Sequence, residues 1–209
     1  PVQKSIEFET AMAKVSTIAD ESKVPLSQMQ KEIINLSSAL GVNANAVSED
    51  VYNAISAGQD TADAVAFVEK ATKLAKGGFA ETGQALDVLT TILNAYGLES
   101  SEVTKISDML IMTQNRGKTT VAELSSSMGK IIPTANANNV AMEQLCAVYS
   151  LMTARGIAAA ETTTYANSML NELGKTGTTA DKALRKAAGG SFSELMAQGK
   201  SLGDVLAIL

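Results

Sequence analysis

The sequence predicts an all-α fold, antiparallel helix pairs in a repeat array of about 39 residues per unit, bundle- or solenoid-like, and three observations predict it. Residues that tolerate a left-handed backbone recur evenly: Gly58, Gly97 and Asn136 are equally spaced, and Gly78, Gly117 and Gly156 keep the same interval. The two series interleave at nearly equal steps, and Gly174 arrives one such step after Gly156. Glycine, and after it asparagine, is favoured just past a helix C-terminus, so each interval reads as one helix closed by a turn. Between these marks the apolar residues step by three and four, which puts them on one face of a helix and leaves the other face polar. No stretch alternates apolar and polar residues as a half-buried strand does, and β-branched residues are scattered through the helical stripes.

Taken in order, the stretch up to Leu40 gives two helices. Ile6, Phe8, Met12, Val15 and Ile18 mark the first, and Leu26, Met29, Ile33, Leu36 and Leu40 the second, closed by Gly41. Pro25 separates them, and either Pro25 or the Ser27 to Gln30 pair starts the second helix. A short helix is expected from Ser48 through Tyr52 to near Gly58, with Asp60 as N-cap of the next. Its stripe is Ala64, Val68, Ala71 and Ala75, and the following ones are Leu86, Leu89, Leu93, Tyr96 and then Val103, Ile106, Leu110, Thr113. Val121, Leu124, Met128 and Ile131 form one further stripe, started by Thr120 with Glu123. Asn139 starts the helix of Met142, Leu145, Tyr149 and Met152, and Ala166, Met169, Leu170 and Leu173 carry the last full one. Thr179 to Gly190 and Ser191 (with Glu194) to Gln198 read as a shortened pair, and Ser201 to Leu209 as the beginning of another helix. One all-helical domain over 1–209 is expected: an N-terminal pair over 1–45, a repeat region over 46–190, and short helices over 191–209. The start at Pro1 and the end just after an apolar segment suggest a piece of a longer chain. A single helix cannot bury such a stripe, whereas stacked pairs bury it continuously.

Composition narrows function by exclusion. At 209 residues and 45% hydrophobic the chain can bury a real core, and with 4% aromatics that core is packed by aliphatic and small residues. A net charge of −5 argues against a duplex-binding surface, which needs lysine and arginine to neutralise phosphates. No apolar run long enough to span a bilayer and no charged-then-apolar leader is present, so this segment carries no membrane span. Cys146, the only cysteine, sits beside Leu145 on a helical stripe and reads as a buried, inert thiol.

Motifs that resemble catalytic ones fail on spacing or context. Gly117-Lys118-Thr119 and Gly174-Lys175-Thr176 imitate the end of a phosphate loop, but Met112 and Met169 stand where its first glycine is required. Ser127 to Lys130 and Lys175-Thr176-Gly177 match pieces of a serine acyl-enzyme signature whose Lys-Thr-Gly belongs on a strand, and here it falls between helices. Without histidine there is no Ser-His or Cys-His pair and no histidine-based metal site. The acidic pairs Glu49-Asp50 and Glu99 with Glu102 fall at helix starts, where the helix dipole accounts for them. No catalytic, cofactor-binding or metal residue is therefore assigned; the singled-out positions are the helix-end turns Gly58, Gly78, Gly97, Gly117, Asn136, Gly156 and Gly174.

A family pattern is carried by Glu7 to Met12 (EFETAM), Leu89 to Glu99 (LTTILNAYGLE), Met112 to Ser126 (MTQNRGKTTVAELSS), Ile131-Ile132-Pro133, Leu151 to Ala160 (LMTARGIAAA) and Gly199 to Leu206 (GKSLGDVL). In this order, nearly end to end, they resemble the core region of the tail tape measure proteins of long-tailed phages. One departure is Asn139, where the family pattern has glycine; asparagine tolerates the same backbone. The resemblance implies a virion structural protein of the tail, assembled in the bacterial host cytoplasm, whose full length sets tail length and which leaves the tube when DNA is ejected. It implies tail tube and tail tip proteins and tail assembly chaperones as partners, leaves self-association open, and brings no cofactor and no catalytic residue. Full-length relatives also carry coiled coils, hydrophobic segments and sometimes a peptidoglycan-cleaving domain, and none of these is present in this chain. Two other classes fit the same helices. A helical-repeat adaptor binding a protein or peptide comes second, and a membrane-active amphipathic protein, which would need basic flanks, comes third. Tail genes beside this one would decide for the tape measure.

Overall fold

The computed structural model describes the backbone of residues 2–209 and the side chains from Ile6 onward. Among the described residues every regular element is helical: α1 Val2–Ser16, α2 Leu26–Leu40, α3 Ala44–Ser56, α4 Ala64–Gly77, α5 Thr82–Tyr96, a 3₁₀ turn Ser100–Glu102, α6 Val103–Arg116, α7 Val121–Met128, α8 Ile132–Ala137, α9 Met142–Ala154, α10 Ala159–Gly174, α11 Thr179–Ala188, α12 Phe192–Ala197 and α13 Leu202–Leu206. The all-α expectation therefore holds. The chain divides into two compact units, 1–107 and 108–209, with the division inside α6.

In the first unit α4 packs on α5, and α3 packs on α1, α2 and α4. Its core is Met12, Val15, Met29, Ile33, Val51, Phe67, Leu89 and Ile92, all 0–1% exposed. Ala54, Ala64, Ala71 and Ala85 are fully buried between them, which is how helices with so few aromatics come close enough to exclude water. Polar contacts tie segments that are near neighbours along the chain. The Ser48 hydroxyl meets Met12 Sδ, Lys76 Nζ donates to the Leu40 carbonyl, and Asn94 donates to the Ala57 carbonyl. Lys23 pairs with Asp60, the Asp20 N–H donates to Thr61 Oγ1 at 3.0 Å, and the Ser100 hydroxyl reaches Gln59 Oε1 at 2.7 Å.

In the second unit α10 is the shared wall: α7, α8, α9, α11 and α12 all pack against it. Leu124, Met128, Ile132, Leu145, Tyr149, Leu170 and Phe192 fill this core. Asp181, 3% exposed, is compensated at the start of α11 by the Gly177 N–H at 2.8 Å and the Arg185 Nε–H at 3.0 Å.

Local chemistry explains most helix ends. The capping boxes expected at Thr120 with Glu123 and at Ser191 with Glu194 are formed, and two more join Glu81 to Gln84 and Ser201 to Asp204. Other expectations are corrected. Pro25 itself is the N-cap of α2. α3 starts at Ala44 rather than Ser48, because the Asn43 side chain accepts the Asn45 N–H. Asp60 caps no helix: its carboxylate accepts the Ala62 N–H at 2.9 Å and pairs with Lys23, and α4 begins only at Ala64. The stripe from Val121 to Ile131 outruns its helix: α7 stops at Met128, Ile131 is the N-cap of α8, and α8 starts at Ile132 with Pro133 in its first turn. Asn139 does not start α9; it takes the left-handed conformation, φ 57°, and Ala141 is the N-cap. Helices start at nearly even intervals, at Leu26, Ala64, Val103 and Met142, yet α5 is one 15-residue helix where α7 and α8 are two short ones. The architecture is thus a bundle-like succession of helix pairs rather than copies of one unit.

Phe79 is the outlier of the backbone. Gly78 has φ −100°, and Phe79 behind it takes φ 53° while its ring stays 79% exposed. A bulky residue there carries a Cβ clash of roughly 1–2 kcal/mol, partly offset in any glycine replacement by glycine's greater freedom when unfolded. Phe79→Gly is expected to stabilise the chain by about 0.5–1 kcal/mol, read as a higher denaturant midpoint at unchanged slope.

Asp50 on α3 is half-buried, and burial first, then repulsion from Glu49, pushes its carboxyl up to about 6. The folded chain therefore holds this proton more tightly than the unfolded one. Asp50 costs stability above pH 6, and the cost disappears as pH falls from about 6 towards the ordinary 3.8. Discounted for the solvent that reaches it, Asp50→Asn should stabilise by about 1 kcal/mol at pH 7.5 and by nothing at pH 4, compared in urea melts at both pH values.

Candidate functional site

The residues that resembled catalytic motifs are occupied structurally. Glu123 fills the N-terminus of α7: its carboxylate accepts the Thr119 hydroxyl at 2.8 Å and the Thr120 N–H at 3.1 Å, in the place a phosphate would take. Ser127 is buried and donates back to the Glu123 carbonyl. Lys175 follows α10 as its C-cap, and Gly177 turns the chain into α11. Among the described residues no group of three His, Cys, Asp or Glu side chains is placed to hold a metal ion.

The helix-end residues fall into two kinds. Gly58, Gly97 and Gly156 are left-handed, with φ of 99°, 62° and 90°. Gly78, Gly117, Asn136 and Gly174 are not: Asn136 lies within α8, Gly174 is the last residue of α10, and the left-handed residues nearby are Phe79, Asn139 and Gly177. Gly117 is needed for close approach instead. A Cβ on it would lie 2.3 Å from Thr153 Oγ1, 2.9 Å from the Thr113 carbonyl and 3.3 Å from Ser150 Cα. Gly174 similarly makes room for Asn138, whose Oδ1 would be 2.2 Å from such a Cβ.

The approach at Gly117 draws α6 against α9. The Lys118 N–H donates to Thr153 Oγ1 at 3.1 Å, and the same hydroxyl donates to the Tyr149 carbonyl at 2.7 Å. The Tyr149 hydroxyl in turn meets Thr163 Oγ1 on α10, and burial pushes its ionisation up to about 12, the Thr163 hydrogen bond opposing. These hydrogen bonds, the last two of them buried, fix the α6–α7 turn, α9 and α10 together.

Alongside it the two helices enclose an open groove of about 420 Å³, lined among others by Met109, Met112, Arg116, Glu143, Cys146 and Leu151. Met112 and Leu151 are 51% and 54% exposed, so the groove has apolar walls in contact with water. Cys146 forms part of its floor. Burial pushes the thiol up to about 11, a hydrogen bond with Thr113 opposing and Glu143 adding to the rise, so it stays protonated at neutral pH. The groove offers apolar contact with one cation and one carboxylate at its rim, and no paired nucleophile and base. Sequence reading assigned α9 a buried stripe only. The available signal was the composition of α9, which carries Glu143 as its one charged residue in 13 and so has no polar face to turn outward.

Comparison with known proteins gives one consistent direction. Residues 30–209 match the family described as phage-related minor tail protein. The chain is 40% identical over 213 aligned positions to a probable tape measure protein of Clostridium phage phiCD119, covering 97% of this chain and 23% of that relative. It is 20% identical over 169 positions to the tape measure protein of Pneumococcus phage Dp-1, covering 81% of this chain and 15% of the relative. The chain thus spans about a quarter or less of the curated relatives it matches. No solved structure matches it.

Proposed function

We propose, from the premise that this chain belongs to the phage-related minor tail protein family, that it is a segment of a tail tape measure protein, a structural component of the virion tail acting in tail assembly and length determination. The observation that carries this reading is 40% identity over nearly the whole chain to a relative of that name. Tail tube and tail tip proteins and tail assembly chaperones are the partners it implies, and passage out of the tube at DNA ejection is the later step. In the free chain the segment is folded. Within the tube it serves as ruler by drawing out, because a helical rod measures length and a bundle fills width. As a continuous helix about 39 residues span about 58 Å, at roughly 1.5 Å per residue; as a stacked pair they advance only about 20 Å, two interaxial distances.

An in-frame deletion of residues 79–117 in an intact phage, with tail lengths measured by electron microscopy, tests the reading. Tails shorter by about 58 Å are expected. Viable tails shortened by about 20 Å or not at all would reject an extended ruler in this region.

A further inference from the structure

We propose that the turn between α3 and α4 is a two-sided latch, coupling the loop before α2 to the loop before α6 so that the two open and close together. The turn, residues 57–63, is fixed from both helices. At its start Gly58, with φ 99°, lets the Gln59 N–H reach back to the Ala54 carbonyl at 3.0 Å, and towards its end the Asp60 carbonyl accepts the Asp63 N–H at 3.0 Å. Held in this way, the turn grips one loop from earlier in the chain and one from later. From the α1–α2 loop the Asp20 N–H donates to Thr61 Oγ1 at 3.0 Å, and Lys23 pairs with Asp60. From the α5–α6 loop the Ser100 hydroxyl donates to Gln59 Oε1 at 2.7 Å, and Asn94, in the last turn of α5, donates to the Ala57 carbonyl at 3.0 Å. Asp20 to Thr61 and Gln59 to Ser100 both span 41 residues, so the second tie is the first moved along by one helix pair.

Burial is what couples the two sides. Gln59 and Thr61 are only 7% and 6% exposed, so a loop that leaves strands its acceptor inside the fold unless the turn itself moves to bring that acceptor to water. The two acceptors lie two residues apart on one pinned backbone. A turn that moves to hydrate Gln59 therefore withdraws Thr61 from Asp20, and the reverse holds for Thr61. Opening of one loop in this way lowers the cost of opening the other. The Lys73 to Glu69 pair, with both side chains about half exposed, breaks with no such consequence, because water replaces each partner where it stands. A partner that seizes either loop is thus felt at the other, through a short run of contacts that has a closed and an open arrangement.

Native-state hydrogen exchange on the full 209-residue chain, followed by NMR, tests the coupling. The reporters on one side are the Lys23 and Val24 amides, which donate to the Asp20 carbonyl; on the other they are Leu98 and Glu102, which donate to the Leu93 and Glu99 carbonyls. Ser100→Ala strands Gln59 and is expected to speed exchange at Lys23 and Val24, in the other loop, by about fivefold or more, the lower end of coupling between linked sites. Ser100→Thr keeps the hydroxyl and should leave Lys23 and Val24 as in the wild type. In a Gln59→Leu background, where no acceptor is stranded, adding Ser100→Ala should leave them unchanged as well. Gly78 and Ala80, at the far end of α4, donate to the Leu74 and Ala75 carbonyls and are the reference. Unchanged exchange at Lys23 and Val24 in Ser100→Ala, whatever happens at Leu98 and Glu102, overturns the proposal, because the two ties then act separately. Equal acceleration at Gly78 and Ala80 overturns it too, since the whole unit has then loosened, as does an acceleration that persists in the Gln59→Leu background. None of these results bears on the tail reading, which tail length tests separately.

Discussion

Gly117→Ala is expected to destabilise the chain by about 2–3 kcal/mol, and Gly117→Asn by at least as much. The residue does not occupy the left-handed region, so asparagine's tolerance for that region earns it nothing here. Any Cβ enters the space of Thr153 Oγ1, 2.3 Å away, and of the Thr113 carbonyl, 2.9 Å away, and the latter is backbone that cannot rotate aside. For a single added methyl, overpacking costs about 1–2 kcal/mol, and displacing Thr153 adds the loss of the Lys118 hydrogen bond, about 1 kcal/mol. For a chain of this size the sum lowers Tm by roughly 4–12 °C. The diagnostic is a double-mutant cycle with Thr153→Ala, in which removal of the hydroxyl should return about 1 kcal/mol of the alanine cost. Asn milder than Ala, with no coupling to Thr153, would restore the left-handed reading.

Phe67→Ala is the larger effect, about 3–5 kcal/mol. Phe67 is 1% exposed on α4, the helix that packs on α5, α3 and α2, and it is one of few aromatics in a core otherwise filled by aliphatic and alanine side chains. Such neighbours have little reach with which to collapse into the vacated space, which places the cost at the upper end of that range. Met112→Ala, half exposed on the groove, is the control and should fall within about 0.5 kcal/mol of wild type. Urea melts of the two variants compare them, and a Phe67→Ala cost below about 1.5 kcal/mol would mean the first unit is packed otherwise.

The helices were legible in the sequence because their signals are local. The stripes of three and four predicted α2, α4, α5, α6 and α10, and the Thr120 and Ser191 pairs predicted their capping boxes. Helix breaks were less legible. The stripe from Val121 to Ile131 read as one helix, whereas Gly129 follows α7 as its C-cap and Pro133 stands in the first turn of α8. Even glycine spacing does not tell what backbone each position takes, since Gly58 turns left-handed while Gly117 makes room for a neighbour on another helix. The difference depends on what stands opposite, which no local pattern contains. The groove was hidden for the same reason: methionine suits a core and a surface alike, and only packing leaves Met112 half exposed and Met128 fully buried.

The spacing of the polar contacts in the first unit has a mechanical consequence. Ser48 to Met12, Lys76 to Leu40, Asn94 to Ala57 and Ser100 to Gln59 each tie a segment to one only 36 to 41 residues away. No clasp in that set links the beginning of the unit to its end. Tension applied along the chain therefore meets these ties in succession, and because their loops overlap, all of them released together free the stretch from Met12 to Ser100, about 290–320 Å of fully extended backbone at roughly 3.3–3.6 Å per residue. On slackening, the same ties re-form between near neighbours, the condition under which chains fold fast. A molecule so fastened can be drawn out in small steps and can wind back without threading one part through another.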